Sequence, residues 1–313
     1  MNNRLNTPVL FLIFNRPELT IKVFQRIREV KPKQLFVSAD GPRNNKEKEL
    51  CERTRAIIKN VDWDCEVKTF FRNDNLGCKN GVSSGIDWFF QNVEQGIIIE
   101  DDIYPDITFF FYCEELLEKY KNNDNIYIIA GASFQNGIQR GDASYYFSKY
   151  AHIWGWASWR RAWNIYDIKM QGYDKEKFPL EFNKIFISKS EMKFWNKIFE
   201  RVYNNLINTW DYQWQYSIWK NKGISIIPNI SMVSNLGFEN NSTHDFIKDS
   251  YINNEAGSIK FPLIHPQKIN INFKADAFTY NNIFSLNLKR LLRLTKENGF
   301  TFFINLLKKK LFN

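Results

Sequence analysis

Histidine is scarce in this chain, with three in 313 residues. The four cysteines, Cys51, Cys65, Cys78 and Cys113, show no Cys-x-x-Cys spacing. A zinc site therefore lacks ligands at suitable intervals, and scattered thiols fit a reduced, cytosolic chain better than a disulfide framework. No apolar run approaches the roughly 20 residues that cross a bilayer. The first such run, Val9 to Phe14, ends at Arg16-Pro17. That is too short for the apolar core of a secretory signal, and it reads as a buried first strand. No internal repeat or low-complexity linker divides the chain.

What is present is ordinary in bulk and unusual in detail. Hydrophobic residues make up 44% and charged residues 25%, as in a globular protein, but aromatics reach 17%, with 28 Phe, 14 Tyr and 10 Trp. Such an excess serves a large core or surfaces that stack on sugars or bases. The net charge of +9 is concentrated at one end. Residues 283–313 hold seven basic side chains and one acid, a net of +6, which leaves +3 for residues 1–282. The main body is thus too weakly basic to suggest a nucleic-acid partner.

Short apolar runs alternate with helical patterns through the first half. "PVLFLIF" (8–14) is strand-like, and "RPELTIKVFQRIREV" (16–30) follows as a helix with Pro17 in its first turn. "QLFVSAD" (34–40), "CEVKTFFR" (65–72), "GIIIEDD" (96–102) and "NIYIIAG" (125–131) read as further strands. Helices are expected near 45–60, over 78–93 (where glycines weaken the pattern) and over 105–120. The alternation predicts an α/β fold, a mainly parallel sheet flanked by helices, with ligands beyond the carboxyl ends of its strands. Arg16, Asp40, Asp101 and Asp102 all fall just after predicted strands and should gather there.

"GIIIEDDIYPD" (96–106) sets Glu100, Asp101 and Asp102 directly behind three isoleucines. Adjacent acids where a buried strand emerges repel one another unless a cation intervenes, and Mg²⁺ or Mn²⁺ takes such oxygens while leaving positions open for phosphate. The competing reading is a helix N-cap, by Asp102 or Asp106. Trp156, Trp159 and Trp163 have the spacing of one helix face, which favours core packing for Trp159 and Trp163. Trp154 and Trp156, flanking Gly155, are the better candidates to bind an acceptor sugar, because indole faces stack on sugar C–H surfaces.

"FNRP" (14–17), "VSADGP" (37–42), "EDDIYPD" (100–106), "GWASWRRAW" (155–163) and "TWDYQW" (209–214) together resemble the inverting glycosyltransferases of the GT-A (Rossmann-like) fold, nearest to the N-acetylglucosaminyltransferase I family. The resemblance spans roughly residues 8 to 240. It implies a UDP-sugar donor, a Mn²⁺ (or Mg²⁺) cofactor and a glycan or glycolipid acceptor. It also implies Asp102 as the metal ligand, Asp101 facing the ribose, Asp40 meeting the uracil, and Arg16 beside base and pyrophosphate. Glu100 is grouped with them in binding the nucleotide-sugar. Asp211 takes the place of the catalytic base, although the second acid that often follows it in the family is Tyr212 here. Lys79 and His244, the latter in a loop at 235–246, are further candidates to contact the diphosphate. Alternatives stay open: a surface ion pair for Arg16, a turn for Asp40, an N-cap for Asp211 and a polar loop residue for His244.

The expected organisation is a catalytic domain at 1–245, a loop or linker extension at 246–282 and a basic amphipathic tail at 283–313. The tail interleaves leucines with Lys289, Arg290 and Arg293 and ends near Lys308, Lys309 and Lys310. Such a helix lies on an anionic membrane surface, packs back on the domain or serves self-association. The first choice suggests a chain peripheral to the inner face of a bacterial membrane, acting in surface polysaccharide synthesis. Two other functions compete. One is a sugar-nucleotide nucleotidyltransferase, which would want a glycine- and lysine-rich phosphate loop where "FNRPEL" stands. The other is a non-catalytic carbohydrate- or membrane-binding protein.

Overall fold

The computed structural model describes residues 4–238, 249–252 and 255–298. Strands β1 (Val9–Ile13), β2 (Gln34–Ala39), β3 (Glu66–Phe71) and β4 (Gln95–Glu100) are parallel and lie in the order β3-β2-β1-β4. Every residue of β1 is buried, as its unbroken apolar run requires of a strand covered on both faces. Helices α1 (Pro17–Val30), α2 (Asn45–Ala56) and α3 (Gly77–Asn92) make the crossovers. The chain moves outward from β1 through β2 to β3, then returns to β4 on the other side of β1. Right-handed crossovers put α3 on the face opposite α1 and α2, and the order reverses between β1 and β4. Registry pairs Leu12 with Glu100 and Ile13 with Ala39, so three strand ends open at one level.

Beyond β4 come the short strand β5 (Ile103–Pro105), helix α4 (Ile107–Tyr120) and the fully buried strand β6 (Ile126–Ala130). Strand β7 (Tyr145–Ser148) follows, then β8 (Trp156–Trp159), which fills the gap between β4 and β6 antiparallel to both. The helix expected across this tryptophan stretch is therefore only the turn α5 (Arg160–Trp163). Four buried residues pinned between two buried strands carry no periodicity that separates strand from helix. Helices α6 (Phe178–Glu181), α7 (Lys189–Tyr203) and α8 (Asp211–Lys220) come next. Strand β9 (Ile224–Pro228) completes the eight-stranded sheet between β6 and β7, and β10 (Val233–Asn235) pairs with β5 as a separate ribbon.

Of the described residues after 254, Gly257 to Ile259 bond to Ser231 and to Asp106 and Thr108 at the start of α4, and Ile264 to Asn272 run along the β7 edge. Ile259 and Leu263 are buried, Ile271 bridges Phe147, and helix α9 (Phe273–Thr279) places Asp276 where Ser148 Oγ donates to it at 2.5 Å. Helix α10 (Leu288–Asn298) buries Leu294 and turns Arg290 and Arg293 onto Asp249 at 3.1 and 3.0 Å. The described part of the expected tail thus packs on the domain, while Lys308 to Lys310 lie outside the described residues. Among the described residues no helix is long and apolar enough to cross a membrane.

Candidate active site

A cleft of about 770 Å³ opens where the strand order reverses, lined by residues that include Phe14, Arg16, Asp40, Glu100, Asp101 and Asp102. Its volume suits a small-molecule ligand. Asp101 is buried and accepts the Phe14 N–H at 3.0 Å, which ties the end of β4 to the β1–α1 turn. Arg16 is the residue before α1; its guanidinium donates to Asp102 at 2.7 Å and lies 3.8 Å from Asp101. The ion pair expected as an alternative for Arg16 therefore exists, and it sits inside the cleft.

One guanidinium does not offset three acids. Burial and the charges of Asp102 and Asp101 push Glu100 up to about 8, and burial with Asp102 pushes Asp101 up to about 7. The trio is crowded, with a shortage of positive charge. Among the described residues no group of three or more His, Cys, Asp or Glu is arranged to hold a metal ion by itself. A Mg²⁺ or Mn²⁺ ion bound by one or two carboxylates and substrate phosphates needs no such group. A charge-deficient trio with partly exposed Asp102 at its edge fits an ion of that kind.

Asp40 lines the cleft but is tied down, its carboxylate accepting the N–H groups of Leu76 and Gly77 at 3.0 Å and so anchoring the start of α3. Gly81 and Gly85, whose presence weakened the helix pattern in the sequence, make the close approach of α3 to Asp40 and β2 possible. A Cβ at Gly81 would stand 2.9 Å from Asp40 Oδ2, and one at Gly85 2.6 Å from Ser38 Oγ. Glycines at four-residue spacing, on one face of the helix, were the available signal for this contact. Arg43, Asn75, Cys78 and Asn208 also line the cleft, and sequence reasoning missed all four. Arg43 lies over the Phe14 ring at 5.4 Å and pairs with Glu47.

Asp211 opens α8, three residues beyond Asn208. The N-cap is Trp210, so the capping alternative for Asp211 does not hold; its carboxylate accepts from Thr209 Oγ1. Burial raises Asp211, and its charge in turn helps to raise Glu100 and Cys78, so it lies within electrostatic reach of the cleft although it does not line it. Asp106, by contrast, is the N-cap of α4, accepting Thr108 N–H at 2.9 Å.

Other expectations separate from this cluster. Lys79 does not line the cleft and donates instead to Asn205 at 3.1 Å. Trp156 is 1% exposed and packs among Trp163, Trp210 and Trp214, so its faces are spent in the core and cannot stack on a sugar. Trp154 is half-buried with its ring edge-on to Phe134 at 5.2 Å. Gly155 has φ +56° and packs so closely that a Cβ would meet Val233 at 2.9 Å, a packing need that accounts for the glycine. His244 lies outside the described residues. The segment leading toward it is anchored at the cleft, with Leu236 N–H donating to Asp102 O at 2.8 Å.

No known protein family matches the chain, and no curated protein does. Among solved structures, HddC from Yersinia pseudotuberculosis aligns over 50% of this chain and 77% of its own, at 9% identity and a TM-score of 0.31. A 4-diphosphocytidyl-2C-methyl-D-erythritol synthase from Anaerococcus prevotii aligns over 64% of this chain and 100% of its own, at 8% identity and the same TM-score of 0.31. At that score neither likeness decides an activity.

Proposed function

We propose that the protein is a metal-dependent inverting glycosyltransferase that moves a sugar, with N-acetylglucosamine a candidate, from a UDP-sugar to a glycan or glycolipid acceptor. The observation that carries this reading is the cleft that gathers Arg16, Glu100, Asp101 and Asp102, with a separate buried carboxylate, Asp211, outside its lining but close enough for its charge to raise Glu100. In the reaction an acceptor hydroxyl oxygen bonds to the anomeric carbon as that carbon's bond to the diphosphate oxygen breaks. The hydroxyl proton passes to the Asp211 carboxylate, and burial makes that carboxylate a stronger base than an exposed one. Arg16 orients the diphosphate by its guanidinium fork. Asp102 would hold a divalent ion, which would supply charge to offset the departing diphosphate.

The turn after β1 contains Arg16-Pro17 and no glycine, which disfavours the nucleotidyltransferase alternative, since that chemistry wants a backbone cradle for a triphosphate. The deciding assay incubates the chain with Mn²⁺ and a panel of UDP-sugars, following UDP, and in parallel with nucleoside triphosphates and sugar 1-phosphates, following pyrophosphate. UDP release supports the transferase; pyrophosphate release alone replaces it with the alternative. In calorimetric titrations of UDP, Mn²⁺ should tighten binding to the wild type and have no effect on Asp102→Ala. Equal enhancement in both would remove Asp102 as the metal ligand.

A further inference from the structure

A second hollow, about 600 Å³, lies at the far edge of the molecule between α9 and the start of α10. From β1 to β7 the sheet takes five strand steps, ~24 Å at the usual spacing, so this hollow is remote from the cleft. Its lining includes Arg140, Lys274 and Lys289 and no carboxylate. Among the described residues Lys274 and Lys289 make no ion pair or hydrogen bond. Arg140 is held by Gln135 Oε1 at 2.7 Å and by the Phe278 ring at 5.2 Å, while its Nη2 is buried without a hydrogen-bond partner among the described residues. Arg140 also lines a neighbouring hollow, and that hollow rather than this one is lined by Asp142, the carboxylate closest to it in sequence.

Apolar side chains stand around this cationic surface. Ile138 and Leu288 line it, 41% and 71% exposed, and Leu292, one helical turn beyond Leu288, is 62% exposed. The inner side of α10 is spent on the domain through Leu294 and the pairs of Arg290 and Arg293 with Asp249. Its outer side keeps Leu288, Lys289, Leu292 and Lys296 in solvent. An amphipathic face with free cations beside exposed leucines matches a membrane interface, where the phosphate zone meets the acyl boundary. A small soluble anion has no use for the leucines.

We infer that this face docks on an anionic phospholipid surface, a phosphate headgroup resting among Arg140, Lys274 and Lys289 while Ile138, Leu288 and Leu292 enter the interface. The contact expected of the tail lysines is thereby assigned to a built hollow that includes Arg140 and Lys274, more than a hundred residues apart in sequence. The inference does not depend on the transferase reading.

The test is sedimentation of the full chain with vesicles of phosphatidylcholine alone or mixed with phosphatidylglycerol. Binding is expected only to the anionic vesicles. Each basic residue near such a surface is worth roughly a fivefold change in partitioning. Lys274→Glu/Lys289→Glu should therefore weaken binding by at least roughly 25-fold, and Leu288→Ser/Leu292→Ser should weaken it at unchanged charge. Lys22→Glu/Lys59→Glu, of equal net charge but on α1 and the turn after α2, should lose far less. All the substituted side chains are exposed, and melting temperatures check that each variant folds. Equal losses in the two lysine pairs would overturn the assignment, as would binding abolished by ending the chain at residue 298 but retained by Lys274→Glu/Lys289→Glu. Stabilisation by inorganic phosphate without vesicle binding would identify a soluble anion and overturn it too. No turnover is read in these measurements, so failure here leaves the transferase proposal standing, and failure there leaves this one.

Discussion

Asp211 and Asn differ by one atom, and that difference isolates the proposed base. Asp211→Asn preserves size and the ability to accept from Thr209, so it should lower kcat by roughly two to four orders of magnitude while UDP affinity stays near wild type. Wild-type turnover in the variant would transfer the role to a carboxylate that lines the cleft. His152 makes a separate test of the buried polar interior. Its ring lies against Phe134 at 4.6 Å with Nδ1 3.3 Å from Ala132 O, and burial lowers its pKa from 6.5 to about 4. The unfolded chain therefore takes up this proton before the folded one does. The stability His152 contributes is complete above 6.5 and is lost as pH falls toward 4, by about 2–3 kcal/mol at pH 4.5. Asp276, raised to about 6 by burial, acts in the opposite sense in the same window, so a variant comparison is needed. Urea denaturation at pH 7 and 4.5 should show His152→Gln losing less stability on acidification than wild type.

At the scale of elements, strands and helices that repeat a clear pattern were legible from sequence to within two residues. The expected strand at 34–40 is β2 at 34–39, and the expected helix at 78–93 is α3 at 77–92. Strand β8 and the β5–β10 ribbon were not legible, because four and three residues are too few to display a period and their pairing partners are distant in sequence. The join between β7 and α7 belongs to the same class. There Lys149 and Glu191, each 1% exposed, pair at 2.7 Å, and Glu191 also accepts Ile187 N–H at 2.9 Å and the Tyr150 hydroxyl. Replacing one partner strands a buried charge. Lys149→Met should cost about 3–5 kcal/mol. Lys149→Met/Glu191→Leu should recover part of that loss, and chemical denaturation of the two variants reads the coupling.

For the whole molecule, the C-terminal stretch behaves as a buttress of the sheet. Phe284 packs on Trp195 at 4.9 Å and Tyr150 at 5.1 Å between ring centroids, and Asp249 gathers both arginines of α10. A chain ending at residue 282 should therefore be less stable than one ending at 298 by at least ~1 kcal/mol, the scale of a half-buried aromatic ring. Thermal unfolding of the two truncations checks this. Equal melting temperatures would show that α10 and Phe284 contribute nothing to the fold.

Two features were settled by sequence: the α/β class, from strand and helix periods in alternation; and the position of Arg16, Asp40 and the acidic trio at strand ends, from where apolar runs stop. Those are local properties, set by what each short segment must bury. The tertiary structure alone decided that Trp156 belongs to the core, that Lys79 turns to Asn205 and that Asp211 neighbours Glu100. It also decided that Arg290 and Arg293 face inward. Each depends on what a side chain meets across tens to hundreds of residues, where periodicity carries no information and only packing and charge pairing choose.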